Sequence, residues 1–352
     1  MKTTKIVVPA SLANIGPGFD VLGIGLELNL EIVVKIDPKI DTSSDPNQVK
    51  IEYSGEGAAG VPIDSNKNLL TQTALYVMRC NGMDKFAPGT VVSVKNPIPL
   101  GRGLGLLGAA IVGGAILGNV VGEFNFLKER LLDYCLLIER HPDNIAAAML
   151  GGFVGLYLKE LNEEETAAKS VPLEYILPKS TTNPSQVVRT PPPQNIAEYV
   201  NYPWSKQIKC LTVIPQFELS TEKARSALPE SYGRADIVYN LQRLAVLTTA
   251  LGHQDVRHEL IYESMKDKIH QPYRAALIPG LTQVLTQILP QSHKGVCGIC
   301  LLGAGPTVLC LVTENHEDIA RDIVEIFAKE GVKCTWQLLD LAYEGAVVKQ
   351  IE

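Results

Sequence analysis

Pro97-Ile98-Pro99-Leu100-Gly101-Arg102-Gly103-Leu104-Gly105-Leu106-Leu107-Gly108-Ala109-Ala110 is the stretch on which the reading of this sequence turns. Glycines crowd its front, small and apolar residues follow, and the strand-like run Thr90-Val91-Val92-Ser93-Val94 precedes it. A glycine-rich turn entering a helix points backbone N–H groups at a phosphate, and the helix dipole adds partial positive charge. Leu106 and Leu107 stand where such a loop ordinarily carries hydroxyls.

Three functional readings of the loop are open, beside the plain one of a glycine-rich start to a buried helix. Gly103-x-Gly105-x-x-Gly108 matches the dinucleotide fingerprint, which also needs a strand after the helix ending in an acid about 20 residues on. Here Glu123 arrives early and a helical pattern follows, so a hydride-transfer enzyme lacks its ribose acid. The Walker pattern is absent, because no lysine follows the glycines. The third reading is a phosphate loop of the form Pro-x-x-x-Gly-Leu-Gly-Ser-Ser-x-Ala.

Working outward, 352 residues suffice for two domains of ordinary size. With 46% hydrophobic and 20% charged residues, the composition is that of a soluble globular protein. A net charge of −6 argues against a nucleic-acid-binding face. Seven cysteines, an odd number, do not suggest a disulfide framework; with no signal-peptide pattern at Met1–Pro9 they predict a reducing, cytoplasmic setting. The uncharged run from Gly103 to Gly122, with Gly114-x-x-x-Gly118 inside it, approaches the length of a spanning helix. Its many Gly and Ala residues, and Asn119, favour a buried core helix, and no membrane contact is expected.

Strands are predicted at Lys5–Val8, Val21–Ile36, Val49–Tyr53, Thr90–Lys95 and Phe153–Leu158, and helices at Asn68–Arg79 and Leu127–Glu139. Pro142 marks the first turn of a further helix, ended by Gly151-Gly152. Residues Pro178–Trp204, centred on Pro191-Pro192-Pro193, read as a long loop at a domain boundary. Beyond it come a strand at Lys209–Pro215, helices near Thr221–Ser226, Asp236–Leu251 and His316–Glu330, a strand pair at Val296–Leu301 and Thr307–Thr313, and a strand at Lys333–Leu338. The mixed order favours α+β over a regular βαβ array. The expected division is an N-terminal nucleotide-binding domain over 1–180, a Pro-rich connection over 181–205 and a C-terminal domain over 206–352.

Other segments carry candidate chemistry. Pro9–Asp20 leaves a strand, turns on Gly16-Pro17-Gly18 and presents Asn14 and Asp20, either to a small polar ligand or to its own backbone. Glu139-Arg140-His141-Pro142-Asp143-Asn144 packs charge at a helix junction, suiting a divalent metal beside phosphates or a capped turn with Asp143 on the helix dipole. Thr221 and Arg225 lie four apart on one helical face. Arg274, in Pro272-Tyr273-Arg274, supplies a second arginine; two suit a carboxylate plus a phosphoryl group, or serve as surface ion pairs. Gly303-Ala304-Gly305 can bring backbone close to a ligand. Cys297 and Cys300 lack a second ligand pair, and core packing is expected for them.

In this order the segments resemble the GHMP kinases, and among them the homoserine kinases, with fungal flavour in Asp133-Tyr134-Cys135-Leu136 and Ile214–Ser220. The resemblance rests on Pro9–Asp20, Pro99–Ala110, His141–Asn144, Ser220–Arg225, Pro272–Arg274 and Gly303–Thr307, and covers nearly the whole chain. It implies a two-domain α+β GHMP kinase fold, ribosomal-S5-domain-2-like at the N-terminus and ferredoxin-like at the C-terminus, with the site between. It implies γ-phosphoryl transfer from ATP, with Mg²⁺, to the hydroxyl of L-homoserine, a step toward threonine, in a homodimer. By resemblance Asn68, Pro99, Gly101, Arg102, Gly103, Leu104, Gly105, Leu106, Leu107, Gly108 and Ala109 bind the nucleotide, and Glu139 the metal. Asn14, Asp20, His141, Arg225 and Arg274 hold homoserine: Asp20 and Asn14 its ammonium, Arg274 its carboxylate. Asn144, Thr221 and Arg225 act at the transferred group. Asn144 stands where other members carry an Asp base, and it cannot take a proton.

Leucine replaces a family serine at Leu12, Leu106, Leu107 and Leu302, with Leu156 a further candidate, while every charged motif residue is kept. One reading is codon reassignment: some yeasts translate a standard leucine codon as serine. A second is a GHMP-fold binding or regulatory protein with impaired catalysis, and a third is a GHMP kinase for another small hydroxyl substrate.

Overall fold

The computed structural model describes residues 2–179 and 181–351. Alternating apolar residues at the N-terminus build β1 (Lys2–Ala13), which pairs antiparallel with β2 (Leu22–Ile36). Pro9 sits inside β1 at a register shift between Pro9 and Ala10, so the strand bends there instead of ending. Then follow β3 (Val49–Gly55), α1 (Leu69–Cys80), β4 (Thr90–Asn96), α2 (Leu106–Gly122), α3 (Lys128–Glu139), α4 (Pro142–Leu150) and β5 (Phe153–Leu158). Short helices α5 (Glu163–Lys169) and α6 (Leu173–Ile176) lead to β6 (Ala197–Tyr202) and β7 (Lys209–Pro215). The remainder is α7 (Thr221–Ser226), α8 (Arg234–Ala250), α9 (His258–Ser264), α10 (Gln271–Ala275), α11 (Leu281–Gln287), β8 (Val296–Leu301), β9 (Val308–Val312), α12 (His316–Lys329), β10 (Cys334–Leu339) and β11 (Val347–Ile351).

Two sheets organise these elements. One runs β11-β1-β2-β4-β3, with β5 also on β2 and β6 on β5; the other runs β10-β7-β9-β8. The mixture is α+β, as the sequence predicts. Two features depart from the expected division. The Pro-rich connection is not all loop: Ala197–Tyr202 pairs with β5, and Arg130 of α3 binds the carbonyls of Pro192 and Pro193 at 2.8 and 3.0 Å. The last strand crosses back to the first sheet, pairing Thr3 with Ile351 and Val7 with Val347.

The run that approached membrane-helix length becomes α2, packed on α1 by small residues. A Cβ at Gly114 would lie 2.4 Å from the Leu70 carbonyl oxygen, and one at Gly118 would lie 2.6 Å from that of Ala74. Among the described residues no helix is long and apolar enough to cross a membrane. All seven cysteines are free, and Cys297 and Cys300 are fully buried, as core packing requires.

Candidate active site

The front of the quoted stretch forms three successive left-handed glycines, with φ +67° at Gly101, +83° at Gly103 and +70° at Gly105. Gly105 is the N-cap of α2 and has no side chain to satisfy the orphan N–H groups of the first turn. A Cβ there would stand 2.2 Å from Ser11 Oγ and 2.6 Å from Ser11 O, so only glycine lets this loop lie against β1. Opposite, Gly303 donates its N–H to the Ala13 carbonyl at 2.9 Å, and Thr307 donates its hydroxyl to the Arg102 carbonyl. Leu219 N donates to Gly101 O at 3.4 Å, and Arg102 binds Gln216 Oε1 at 2.8 Å. Residues far apart in sequence thus close one cavity of about 110 Å³ over the start of α2.

Pro99, Gly101, Arg102, Gly103, Leu104, Gly105, Leu106, Leu107 and Gly108 all line that cavity, with Glu139, Asn144 and Thr221. Ala109 is buried beneath it. Asn68 stands apart from this lining. Its Oδ1 caps α1 through the N–H groups of Leu70 and Thr71, and its Nδ2 binds the Pro62 carbonyl at 2.8 Å. Leu107 is 56% exposed at the cavity edge, an unusual place for a large apolar side chain. Leu12 and Leu302 are fully buried in the core.

Asn144 Oδ1 accepts from Ser11 Oγ at 3.0 Å, which holds its amide against β1 beside the glycine loop. Glu139, the last residue of α3, lines the same cavity, and its ion-pair partner is His141 at 3.7 Å. Among the described residues no three His, Cys, Asp or Glu side chains gather as a metal cage. A single carboxylate such as Glu139 fits a Mg²⁺ that takes its other ligands from phosphates and water.

The Asn14–Asp20 turn, Arg225 and Arg274 form a second cluster. Asn14 and Asp20 both adopt positive φ, +62° and +56°, and Asn14 Oδ1 accepts the Asp20 N–H at 2.8 Å. Arg225 grips both Asp20 oxygens, at 2.7 and 3.2 Å, while its buried Nε finds no partner. Arg274 is 1% exposed and donates to the carbonyls of Gly303 at 2.7 Å and Ala224 at 3.3 Å. Both guanidiniums lie over the Phe19 ring. Burial, then the nearby Arg225 charge, brings Arg274 down to about 10. His141 is outside the cavity lining and pairs with Glu139, and Asp143 is buried one residue before Asn144, its carboxyl pushed up to about 7 by burial and then by the Asp20 carboxylate.

The sequence reading missed one participant, His270. It is fully buried, stacks on Phe19 at 5.5 Å, and its Nε2–H donates to the Gly16 carbonyl at 2.8 Å. Burial lowers its pKa, consistent with a neutral ring supporting the Asn14–Asp20 turn. The only sequence signal was its spacing, one helical turn before Arg274.

Thr221 at the cavity and Arg225 on Asp20 share α7, which Ser220 caps by accepting the Lys223 N–H at 3.2 Å. One short helix therefore links the two clusters.

Comparison with known proteins bears on this arrangement. Residues 68–152 match the N-terminal domain of the GHMP kinases. The chain is 61% identical over 350 residues to a homoserine kinase of Candida albicans, covering 98% of each. It is 53% identical to one of Saccharomyces cerevisiae, covering 99% of each. Among solved structures, that of a homoserine kinase from Cytophaga hutchinsonii is similar in fold, with a TM-score of 0.74 at 23% identity, covering 99% of this chain and 97% of the other.

Proposed function

The chain belongs to the homoserine kinases of the GHMP kinase family, and from that premise we propose that its cavity carries γ-phosphoryl transfer from ATP to the side-chain hydroxyl of L-homoserine. The carrying observation is the uncapped N-terminus of α2, opening into a cavity joined by α7 to a paired-arginine cluster. The first-turn N–H groups of α2 and the Gly101–Gly105 backbone hold the nucleotide phosphates. A Mg²⁺ ion bound at Glu139 would neutralise charge on the phosphate oxygens.

In the mechanism, Arg274 pairs with the substrate carboxylate and Arg225 lies beside the transferring phosphoryl group. Asn144, oriented by Ser11, holds the acceptor hydroxyl in line by hydrogen bonding and removes no proton. The transition state of phosphoryl transfer is loose, so positioning and charge supply most of the catalysis. Asn68 belongs to the same reading, near the nucleotide base through its placement at the start of α1. A homodimer and a cytoplasmic setting also belong to it. The exposed Ile237, Val238 and Leu241 of α8 offer a face for self-association.

The test is ADP release measured with ATP plus homoserine, and separately with mevalonate. Homoserine-dependent release supports the proposal. Release with mevalonate and not homoserine keeps the family and rejects the substrate.

A further inference from the structure

The imidazole of His270 is fully buried, and both of its nitrogens are engaged. Nε2 lies 2.8 Å from the Gly16 carbonyl oxygen, and Nδ1 lies 3.4 Å from Arg274 Nη1. These partners decide the tautomer. A carbonyl only accepts, so Nε2 carries the proton; a guanidinium only donates, so Nδ1 presents its lone pair. The ring is neutral, because a second proton on Nδ1 would point at a cation. Burial disfavours the charged ring as well.

The surroundings fix the ring in place. His270 is the N-cap residue of α10, and Arg274 stands one helical turn further on. Asp267, 3.6 Å from Nε2, accepts from Asn240 Nδ2 and from the N–H groups of Ile269, His270 and Gln271 at 2.7 to 2.9 Å, which pins the turn ahead of α10. Gln271 Oε1 accepts the Leu301 N–H at 2.8 Å and ties α10 to β8. On the other side, Phe19 stacks on the imidazole at 5.5 Å with the ring planes 26° apart. The same Phe19 ring lies under the guanidiniums of Arg225 and Arg274, at 5.3 and 5.1 Å. The Gly16 end is equally confined: a Cβ on Gly16 would lie 2.9 Å from the Met265 carbonyl oxygen. The neutral imidazole is thus a spacer of fixed width between the Asn14–Asp20 turn and the Arg274 guanidinium.

We infer that His270 is a positioning residue: it sets the separation between the turn that receives the substrate ammonium and the guanidinium that receives the carboxylate. The inference rests on the homoserine reading and deepens it. Both groups of an α-amino acid hang on one carbon, so a guanidinium that drifts from the turn loses its hold on one of them. His270 lies outside the lining of the cavity over α2, so its loss should weaken homoserine binding and spare ATP binding.

Isothermal titration of the full chain with homoserine, and separately with ATP, tests this on two variants. His270→Phe keeps a ring against Phe19 and loses both hydrogen bonds; His270→Gln keeps a planar group with a donor and an acceptor. His270→Phe is expected to weaken homoserine binding about 10- to 100-fold, the scale of a lost hydrogen bond to a charged group. His270→Gln is expected to recover most of that loss, with ATP affinity within about twofold of the parent in both variants, which also shows that they are folded. Unchanged homoserine affinity in His270→Phe, equal losses in the two variants, or parallel losses of ATP and homoserine overturn the inference. A second measurement is made on the intact, ¹⁵N-labelled chain. At about pH 7, long-range imidazole correlation spectra should show a protonated Nε2 and an unprotonated Nδ1 for His270, identified by the loss of its signals in His270→Gln. Homoserine should move the Nδ1 signal as its carboxylate draws on Arg274. A protonated Nδ1, or an Nδ1 signal that homoserine leaves in place, overturns it too. An intact chain that binds no homoserine refutes the homoserine reading itself and takes the inference with it, a pattern distinct from lost positioning.

Discussion

At the scale of single residues, the glycine loop depends on what glycine permits and on what leucine withholds. Gly105→Ala forces a Cβ against Ser11 and strains a φ of +70°. The expected loss of stability is about 1–3 kcal/mol, read as a lower urea midpoint, with weaker ATP binding. Leu106 and Leu107 leave the first turn of α2 without hydroxyls. Leu106→Ser/Leu107→Ser should raise kcat/KM for ATP about 10- to 100-fold, one charge-assisted hydrogen bond to phosphate. Peptide mass spectrometry on protein from the native source distinguishes the two origins of this oddity: serine at 106 and 107 establishes codon reassignment, and leucine refutes it. Asp143 adds a pH dependence. Its folded carboxyl, at about 7, lies above the ordinary 3.8, so the folded state binds the proton more tightly. Its contribution to stability is full below about pH 4 and is lost as pH rises through 7. Asp143→Asn should therefore melt higher than the parent chain at pH 8, with the two converging toward pH 4.

At the scale of elements, α2 owes its place to glycines on two faces. Gly105 frees its N-terminus, while Gly114 and Gly118 let α1 approach. Gly114→Leu should destabilise by about 1–3 kcal/mol or more, because the new side chain meets the Leu70 carbonyl and cannot rotate away. Chemical denaturation would show it as a lower midpoint. The long, strongly periodic elements were legible in the sequence: the expected Leu127–Glu139 and His316–Glu330 helices stand as α3 and α12 to within one residue at each end. Short ones were not. The helices α9, α10 and α11 span seven, five and seven residues, too few turns for apolar spacing to declare itself. The edge strand β6, with exposed Val200 and a polar neighbourhood, looked like more of the Pro-rich loop.

At the scale of the whole molecule, the site is assembled from contacts that no local pattern contains. The glycine loop, the Asn144 junction and the Ser220–Arg225 segment could each be singled out in the sequence. Their closure around one cavity depends on Gly303 reaching Ala13 and Thr307 reaching Arg102. The same long-range pairing hides the last strand, which returns to β1 across nearly the full length of the chain. His270 was missed for this reason: its role is defined by Phe19 and Gly16, some 250 residues away. Phosphorylation of homoserine in this cavity is the proposed outcome of that closure. Its most direct measurement is mass-spectrometric detection of O-phosphohomoserine after incubation with ATP and homoserine, run on the chain as written beside Leu106→Ser/Leu107→Ser. The phosphorylated product is expected from both, with more from the serine variant. A folded serine variant that binds ATP and forms no O-phosphohomoserine would contradict it.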